Sequence, residues 1–271
     1  MMSYPATRRR QAVRISIGAL LLAFGCQVLA QSAGLADLVL FRHTDQAPLD
    51  TVELIGAVPV RLLNSAPDGR QVAVATLEPG WVHRTSKQPR RTLELLVREG
   101  ELKWDDVTLG QHDYGYLPTG APPVILQSGD NGVTLLMFAD PPRETDGHQS
   151  HTVASRATPW RDGVVAQRDT GQALDLMVKD LLWVEETGQR TWLLRVDGDF
   201  TIPWESHESV EEGFLIYGDY RVAECLADGP VIGDYRPGGY FYRPPGMVHS
   251  GPESGTEKGA LWLLRTPTRL T

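Results

Sequence analysis

A strand-and-turn sequence that occurs twice decides the fold: GYFYRPPG at residues 239–246, and the shorter GYLPTG at residues 115–120. Each copy joins strand-forming aromatic or apolar side chains to a Pro and Gly turn. The similarity extends outward, because residues 60–79 match residues 180–196 in their order of apolar runs and turns. Solenoid repeats are typically ~20–50 residues long, so this longer period indicates two duplicated domains.

Short strands separated by turn signals fill the rest of the chain. Residues 72–77, 133–138 and 261–264 are apolar runs, and two further runs end at Gly100 and Gly218. No stretch beyond residue 30 keeps a helical period long enough for a major helix. We therefore predict an all-β fold built from two tandem barrels or sandwiches.

The predicted domain boundaries follow from this repeat. Residues 31–142 form the first barrel and residues 171–271 the second. The polar, Pro- and Gly-containing segment 143–170 links them. Residues 1–30 lie outside both copies of the repeat, so they are not expected to belong to either barrel.

The first thirty residues are typical of a secretory signal peptide. Four arginines precede the apolar run 15–24, which is too short for the roughly 20 residues of a membrane span, and small residues end at Ala30. We expect cleavage after Ala30 and a periplasmic or secreted protein. A lipoprotein site at Cys26 and a twin-arginine signal are weaker readings, because each departs from its usual pattern.

Charge and cysteine content limit the partners. Without the four leader arginines, 22 basic residues face 34 acidic ones, a formal net charge of −12. Such a surface excludes nucleic acid as an expected partner and disfavours anionic membranes. No stable membrane insertion is expected. Cleavage would leave Cys225 alone, so we expect a half-buried strand cysteine without a disulfide.

Histidine and carboxylate side chains cluster in the second barrel. If residues 205–211 are extended, Glu205, His207 and Glu211 share one strand face, while Glu208 and Glu212 point the other way as surface charge. A paired strand could bring His249 beside them. Two imidazoles and a carboxylate are a plausible site for one divalent ion, with Fe, Mn, Zn and Ni not distinguishable.

The pattern of these residues resembles the cupin superfamily. The resemblance covers the middle of the second barrel, at His207, Glu211, Gly218, Gly238, Pro244, Gly246 and His249. It implies two cupin-type double-stranded β-helix (jelly-roll) barrels, with His207, Glu211 and His249 as metal ligands. The whole chain is similar to bacterial two-domain cupins and, more distantly, to acetylacetone-cleaving dioxygenases.

One position departs from the family pattern, because Glu205 stands where the first histidine is usual. If Glu205 is a fourth ligand, its negative charge and that of Glu211 together neutralise a divalent ion. If Glu205 stays off the metal, it could act as a base next to an open-sided three-ligand site. The sequence leaves both roles open.

The first barrel lacks the same ligands. Aligning the two copies places Leu93 opposite Glu211 and Pro123 opposite His249, and neither can bind metal. His83 lies near the equivalent of the first motif but has no partners there. We therefore expect a structural or dimer-forming role for this barrel.

The resemblance suggests a function for the whole chain. We expect a metal-dependent, dioxygenase-like enzyme acting on a small oxygenated organic molecule, or a binding module that captures a ligand or metal without catalysis. Isomerase, lyase or hydrolase chemistry would use the same ligands. Arg243 is expected to hold a substrate anion or to lie on the surface of its strand. The expected apolar pocket consists of Trp204, Tyr240, Phe241, Tyr242 and Met247. Cupins often dimerise, so we expect a homodimer.

Overall fold

The computed structural model describes residues 38–85, 91–142, 149–163, 176–198 and 200–267. None of these residues forms a helix, which confirms the all-β prediction. Accordingly, these ranges contain no helix that is long and apolar enough to cross a membrane. The leader lies outside the described residues, as do residues 143–148 and 164–170 of the predicted linker.

Ten strands precede residue 154: β1 (Val39–His43), β2 (Leu49–Glu53), β3 (Ala57–Ser65), β4 (Gln71–Leu77), β5 (Val82–Arg84), β6 (Thr92–Trp104), β7 (Val107–Leu109), β8 (Tyr114–Leu117), β9 (Ile125–Asp140) and β10 (His151–Val153). Ten follow: β11 (Arg161–Gly163), β12 (Leu176–Val184), β13 (Gln189–Val196), β14 (Phe200–Glu205), β15 (Glu211–Gly218), β16 (Tyr220–Leu226), β17 (Gly229–Tyr235), β18 (Gly239–Arg243), β19 (His249–Thr256) and β20 (Ala260–Thr266).

These strands form three antiparallel sheets. The first barrel is a nine-stranded sheet of β2 to β10, with the main order β10-β8-β6-β9-β4-β3-β2. The second barrel combines a seven-stranded sheet, β1-β18-β15-β20-β13-β12-β11, with a four-stranded sheet, β14-β19-β16-β17. Strand β1 therefore pairs with the second barrel although it precedes the first in sequence. The domain boundaries given above stay a prediction.

Side-chain alternation along the strands creates three apolar layers. Residues such as Leu95 and Leu135 point into the first barrel, and Leu215 and Trp262 point into the second. A third layer, which includes Phe214, packs the nine-stranded sheet against the seven-stranded one. The central strands of these two sheets thus present one face to a barrel interior and the other to the interface between the barrels.

A buried ion cluster lies in that interface, and it corrects one expectation. Glu212, expected to be surface charge, is only 2% exposed. Its carboxylate lies 3.3 Å from the guanidinium of Arg265, which also binds Glu94 at 2.8 Å and Asp140. The predicted strand face was right, but that face meets the other barrel instead of water. Glu208 is exposed, as expected.

Cys225 corrects a second expectation. It is buried in β16, but it is disulfide-bonded and does not remain a lone thiol. Its partner lies outside the described residues.

Candidate metal centre

Four elements of the second barrel bring the predicted site residues together. Strand β14 ends at Glu205, directly opposite His249 at the start of β19. Strand β15 begins at Glu211, opposite Arg243 at the end of β18. His207 lies in the bend between β14 and β15, where its carbonyl accepts a 2.7 Å hydrogen bond from the Gly246 amide.

The expected extended segment is therefore wrong in detail. Residues 206–210 are a bend that joins the four-stranded sheet to the seven-stranded one. Glu205 and Glu211 reach the same space because they come from two different sheets, not because they share a strand face. Sequence periodicity could not show this change of sheet, since the spacing of the residues is the same in both cases.

Glu205, His207 and His249 can offer one donor atom each within 4.8 Å of one another. The two imidazole rings have their centroids 5.1 Å apart. Glu211 borders this group, with carboxylate oxygens 3.8 Å from His207 Nε2 and 3.5 Å from His249 Nε2. In the described part of the chain, no second cluster of this kind is found.

The hydrogen bonding of His249 indicates what this group can hold. Its Nδ1 lies 3.0 Å from the Met247 carbonyl, which can only accept, so we assign the ring proton to Nδ1. Burial, then the charge of Arg243, lowers the pKa of His249 to about 3, so the ring is neutral near pH 7. The Nε2 lone pair then faces oxygens of Glu205 at 3.6 Å and Glu211 at 3.5 Å. Three electron-rich atoms facing one another fit a cation between them.

Glu205 is held by its neighbour on β19. The Ser250 hydroxyl donates a 3.0 Å hydrogen bond to its carboxylate, and Ser250 itself adopts a left-handed backbone, with φ of 74°. Burial raises the pKa of Glu205, and the negative charge of Glu211 raises it further. This arrangement suits either a metal ligand or a carboxylate base.

Arg243 has a different environment from the one expected. It neither lies on the surface nor points free nitrogens at a ligand, because its side chain is 7% exposed and ion-paired to two carboxylates. Nη1 donates to Glu211 at 2.8 Å, and Nε and Nη2 donate to Glu224 at 2.6–3.0 Å. Burial alone would raise the pKa of Glu211, but Arg243 and then the two histidines outweigh it and lower that pKa.

Glu224 is the site residue that the sequence analysis missed. It lies on β16 opposite His249, and its side chain is fully buried. Burial raises its pKa against the opposing pull of Arg243. A signal was present, since Glu224 is an acid between Ala223 and Cys225 in an otherwise apolar run, where an unpaired charge would be costly.

A cavity of about 60 Å³, partly open to solvent, lies beside these residues. Its apolar lining is Leu194, Ile202, Val222, Phe241, Trp262 and Leu264. Of the five pocket residues expected from sequence, Phe241 is in the lining, whereas Tyr240 and Tyr242 point into the interface between the barrels. Trp204 packs against Cys225 and Val248 instead, and Met247 is buried but is not part of the lining. The alternation of β18 explains the split, because neighbouring residues face opposite sides.

Leu93 and Leu117 occupy the corresponding position of the first barrel. They lie opposite each other on β6 and β8 and are both buried. His83 stacks on Trp81 and belongs to no metal-ligand cluster among the described residues.

Comparison with solved structures identifies the fold family. No protein-family model and no curated protein matches the chain. A candidate dioxygenase from Nostoc punctiforme matches with a TM-score of 0.65 at 18% identity, over 91% of both chains. A candidate glyoxylate-induced protein from Pseudomonas aeruginosa matches with 0.67 at 12%, over 89% of this chain and 93% of that one. A variant of Bacillus subtilis oxalate decarboxylase gives 0.55 at 13%, over 86% and 78%. These neighbours are cupin-type proteins, so the chain has the cupin jelly-roll fold.

Proposed function

We propose that the second barrel binds one divalent metal ion and that the protein is a dioxygenase-like enzyme acting on a small oxygenated organic molecule. The observation that carries this proposal is the neutral His249 ring, whose Nε2 lone pair faces two carboxylates. His207 and His249, with Glu205, Glu211 or both, would hold the ion. Such an ion supplies Lewis-acid chemistry, or a site for oxygen activation if it is redox-active.

The charge balance supports a divalent ion. Glu205, Glu211 and Glu224 bring three carboxylates to the site, and Arg243 brings one guanidinium. With neutral imidazoles, the ionised groups have an excess of two negative charges, which one divalent ion cancels. Burying uncompensated charge is costly, so a neutral assembly is the favoured one.

The surrounding residues have defined tasks in this proposal. The Met247 carbonyl fixes the ring of His249, and Arg243 holds one oxygen of Glu211 while keeping that carboxylate ionised. The apolar lining holds a small organic ligand and excludes water. Glu205, if it does not bind the ion, can accept a proton from the ligand, because its raised pKa makes it a better base.

Two observations support the dioxygenase-like chemistry. One structural neighbour is described as a candidate dioxygenase and another is an oxalate decarboxylase. An open-sided set of two histidines and one carboxylate is typical of iron oxygenases. A non-catalytic binding module is the second candidate. It is favoured by the convergence of both Glu205 and Glu211 on His249, which could complete a closed four-ligand site.

We also propose that the protein is exported and that it forms a homodimer. The leader supports export to the periplasm or beyond, and residues 1–37 lie outside the described residues. Because a chain exported unfolded acquires its metal outside the cytoplasm, the export route would influence which ion it carries.

Oxygen consumption tests the enzymatic proposal. The purified chain would be stripped of metal, reloaded separately with Fe(II), Mn(II), Ni(II) and Zn(II), and supplied with small diketones. We expect oxygen uptake with one redox-active metal, lost in His249→Ala and retained in the control His83→Ala. Stoichiometric metal without turnover of any diketone would contradict the dioxygenase and favour the binding module.

A further inference from the structure

Arg243 is the one permanently charged cation among the residues that line the cavity, and its nitrogens are already engaged. Nε donates to both oxygens of Glu224 at 3.0 Å, Nη2 donates to Glu224 at 2.6 Å, and Nη1 donates to Glu211 at 2.8 Å. The guanidinium carbon also lies 3.7 Å from the centroid of the Phe241 ring. Nη1 and Nη2 each keep one further N–H but already hold a carboxylate oxygen, so an incoming anion could form a two-point ion pair with Arg243 only by displacing one of these carboxylates.

Displacing Glu224 is the unfavourable part of that exchange. Its side chain is 0% exposed, and within the described ranges the hydrogen bonds to its carboxylate all come from Arg243. A ligand that drew Arg243 away would leave a buried carboxylate without its counter-charge, which costs more than the new ion pair would gain. Arg243 is thus held as a fixed part of the wall.

The charge of a ligand also changes the net charge of the buried site. With one divalent ion the charged groups sum to zero, so an uncharged ligand keeps the buried assembly neutral and a carboxylate makes it negative. Apart from the charged groups and His249, the wall consists of six apolar side chains, two tyrosines and Ser250. Such a wall gains free energy from apolar ligand atoms and offers little to a charged one.

We propose that the buried Glu224–Arg243–Glu211 ion pairs make this cavity select uncharged carbonyl compounds over carboxylates, with Glu224 as the residue that determines this specificity. The inference deepens the proposed function and rests on it, because the neutral balance assumes one bound divalent ion. In the metal-free chain the discrimination should be larger, since two excess negative charges then oppose an anion.

The test compares ligands of matched shape that differ in charge. Acetophenone and benzoate form one pair, and 3-methyl-2-butanone and isobutyrate form a smaller pair. Binding to the full chain would be measured by calorimetry and ligand-observed NMR, in metal-loaded and metal-free protein, with metal content determined on the same samples. We expect each ketone to bind at least about tenfold more tightly than its carboxylate, and the gap to widen without metal.

Glu224→Gln sharpens the test, because it keeps the shape of the side chain and removes one negative charge. Benzoate affinity should rise about tenfold in this variant, while acetophenone affinity stays within about twofold. Asp234→Asn is the matched control, since it removes a carboxylate from the exposed Arg221–Asp234 pair on β16 and β17 and should change neither ligand.

The outcomes separate this inference from the proposed function. A chain without stoichiometric metal defeats the proposed function, whereas the ranking of ketone over carboxylate can still be measured in that sample. Carboxylates that bind as tightly as ketones, or ketones that do not bind at all, overturn the inference even when the metal is present. Because the ranking in the unmodified chain is decisive by itself, a Glu224→Gln variant that fails to fold does not remove the test.

Discussion

Leu93 pairs with Leu117 in the first barrel at the same strand register at which Glu211 pairs with Arg243 in the second. In both barrels the first member of the pair lies seven residues before a glycine with positive φ, Gly100 or Gly218. The strand frame is therefore the same, but an apolar pair fills one interior and an ion pair borders a cavity in the other.

The opposite face of the same strands shows no such divergence. Glu94 and Glu212 follow Leu93 and Glu211, and each accepts a hydrogen bond from a tyrosine hydroxyl at an equivalent register. Both carboxylates then reach Arg265 in the interface between the barrels. The two interiors therefore differ, whereas the interface keeps the same polar arrangement on both sides.

Removing the central charge of the second interior should have the largest effect on stability. Arg243→Leu leaves Glu211 and Glu224 buried without a counter-charge, and we expect the free energy of unfolding in urea to fall by ~3–5 kcal/mol. Replacing Arg243, Glu211 and Glu224 together with leucine should restore most of the lost free energy of unfolding, because none of these charges then remains unpaired. If the free energy of unfolding of Arg243→Leu lies within ~1 kcal/mol of that of the unmodified protein, the ion pairs contribute little to stability.

The interface should give the chain a characteristic pH dependence. Burial raises the pKa of Glu212 to about 7 from its ordinary 4.5, against the opposing charge of Arg265. The native state then holds a proton that the unfolded state releases, so this stabilisation is complete below pH 4.5 and is lost as pH rises through 7, by up to ~3 kcal/mol. Denaturation from pH 4 to 8 should show this slope. Glu212→Gln should remove it, whereas Glu253→Gln on the surface should not.

Because the two barrels share the same strand arrangement, we predict equal losses of stability on substitution of Gly100 and Gly218. Both have positive φ, and a Cβ on either would strike a backbone carbonyl, that of Gly132 or Gly259. We expect Gly100→Ala and Gly218→Ala each to destabilise by ~2–3 kcal/mol and to agree within ~1 kcal/mol. Gly188→Ala tests φ alone, because nothing lies within 4 Å of that position, and it should cost ~1 kcal/mol. Clearly unequal values at Gly100 and Gly218 would contradict a common frame.

Ser250 should give the smallest change in stability but a measurable change in the site. Ser250→Ala removes the hydrogen bond to Glu205 and should lower metal affinity about tenfold. Ser250→Gly removes the same bond but relieves the left-handed backbone, so it should raise the free energy of unfolding by up to ~1 kcal/mol. Thermal unfolding and competition with a chelator separate the two effects. Equal metal affinity in all three proteins would exclude a role for Ser250 in holding Glu205.

Much of this architecture was predictable because its signals are local. Strand alternation and the duplicated Pro–Gly turns predicted an all-β fold. The resemblance of the residues around His207 and His249 to the cupin motifs implied that these two imidazoles lie together. Glu212 and Glu224 could not be placed, since their environments depend on which sheet packs against their strand. The bend at residues 206–210 could not be predicted for the same reason.

Metal content shows directly whether the second interior holds one divalent ion and the first holds none. The full chain would be purified without a polyhistidine tag, equilibrated with Fe(II), Mn(II), Ni(II) or Zn(II), dialysed, and measured by elemental mass spectrometry beside His249→Ala and His83→Ala. We predict about one ion per chain, lost in His249→Ala and retained in His83→Ala. No ion with any of the four metals, or the same content in His249→Ala, would contradict the account.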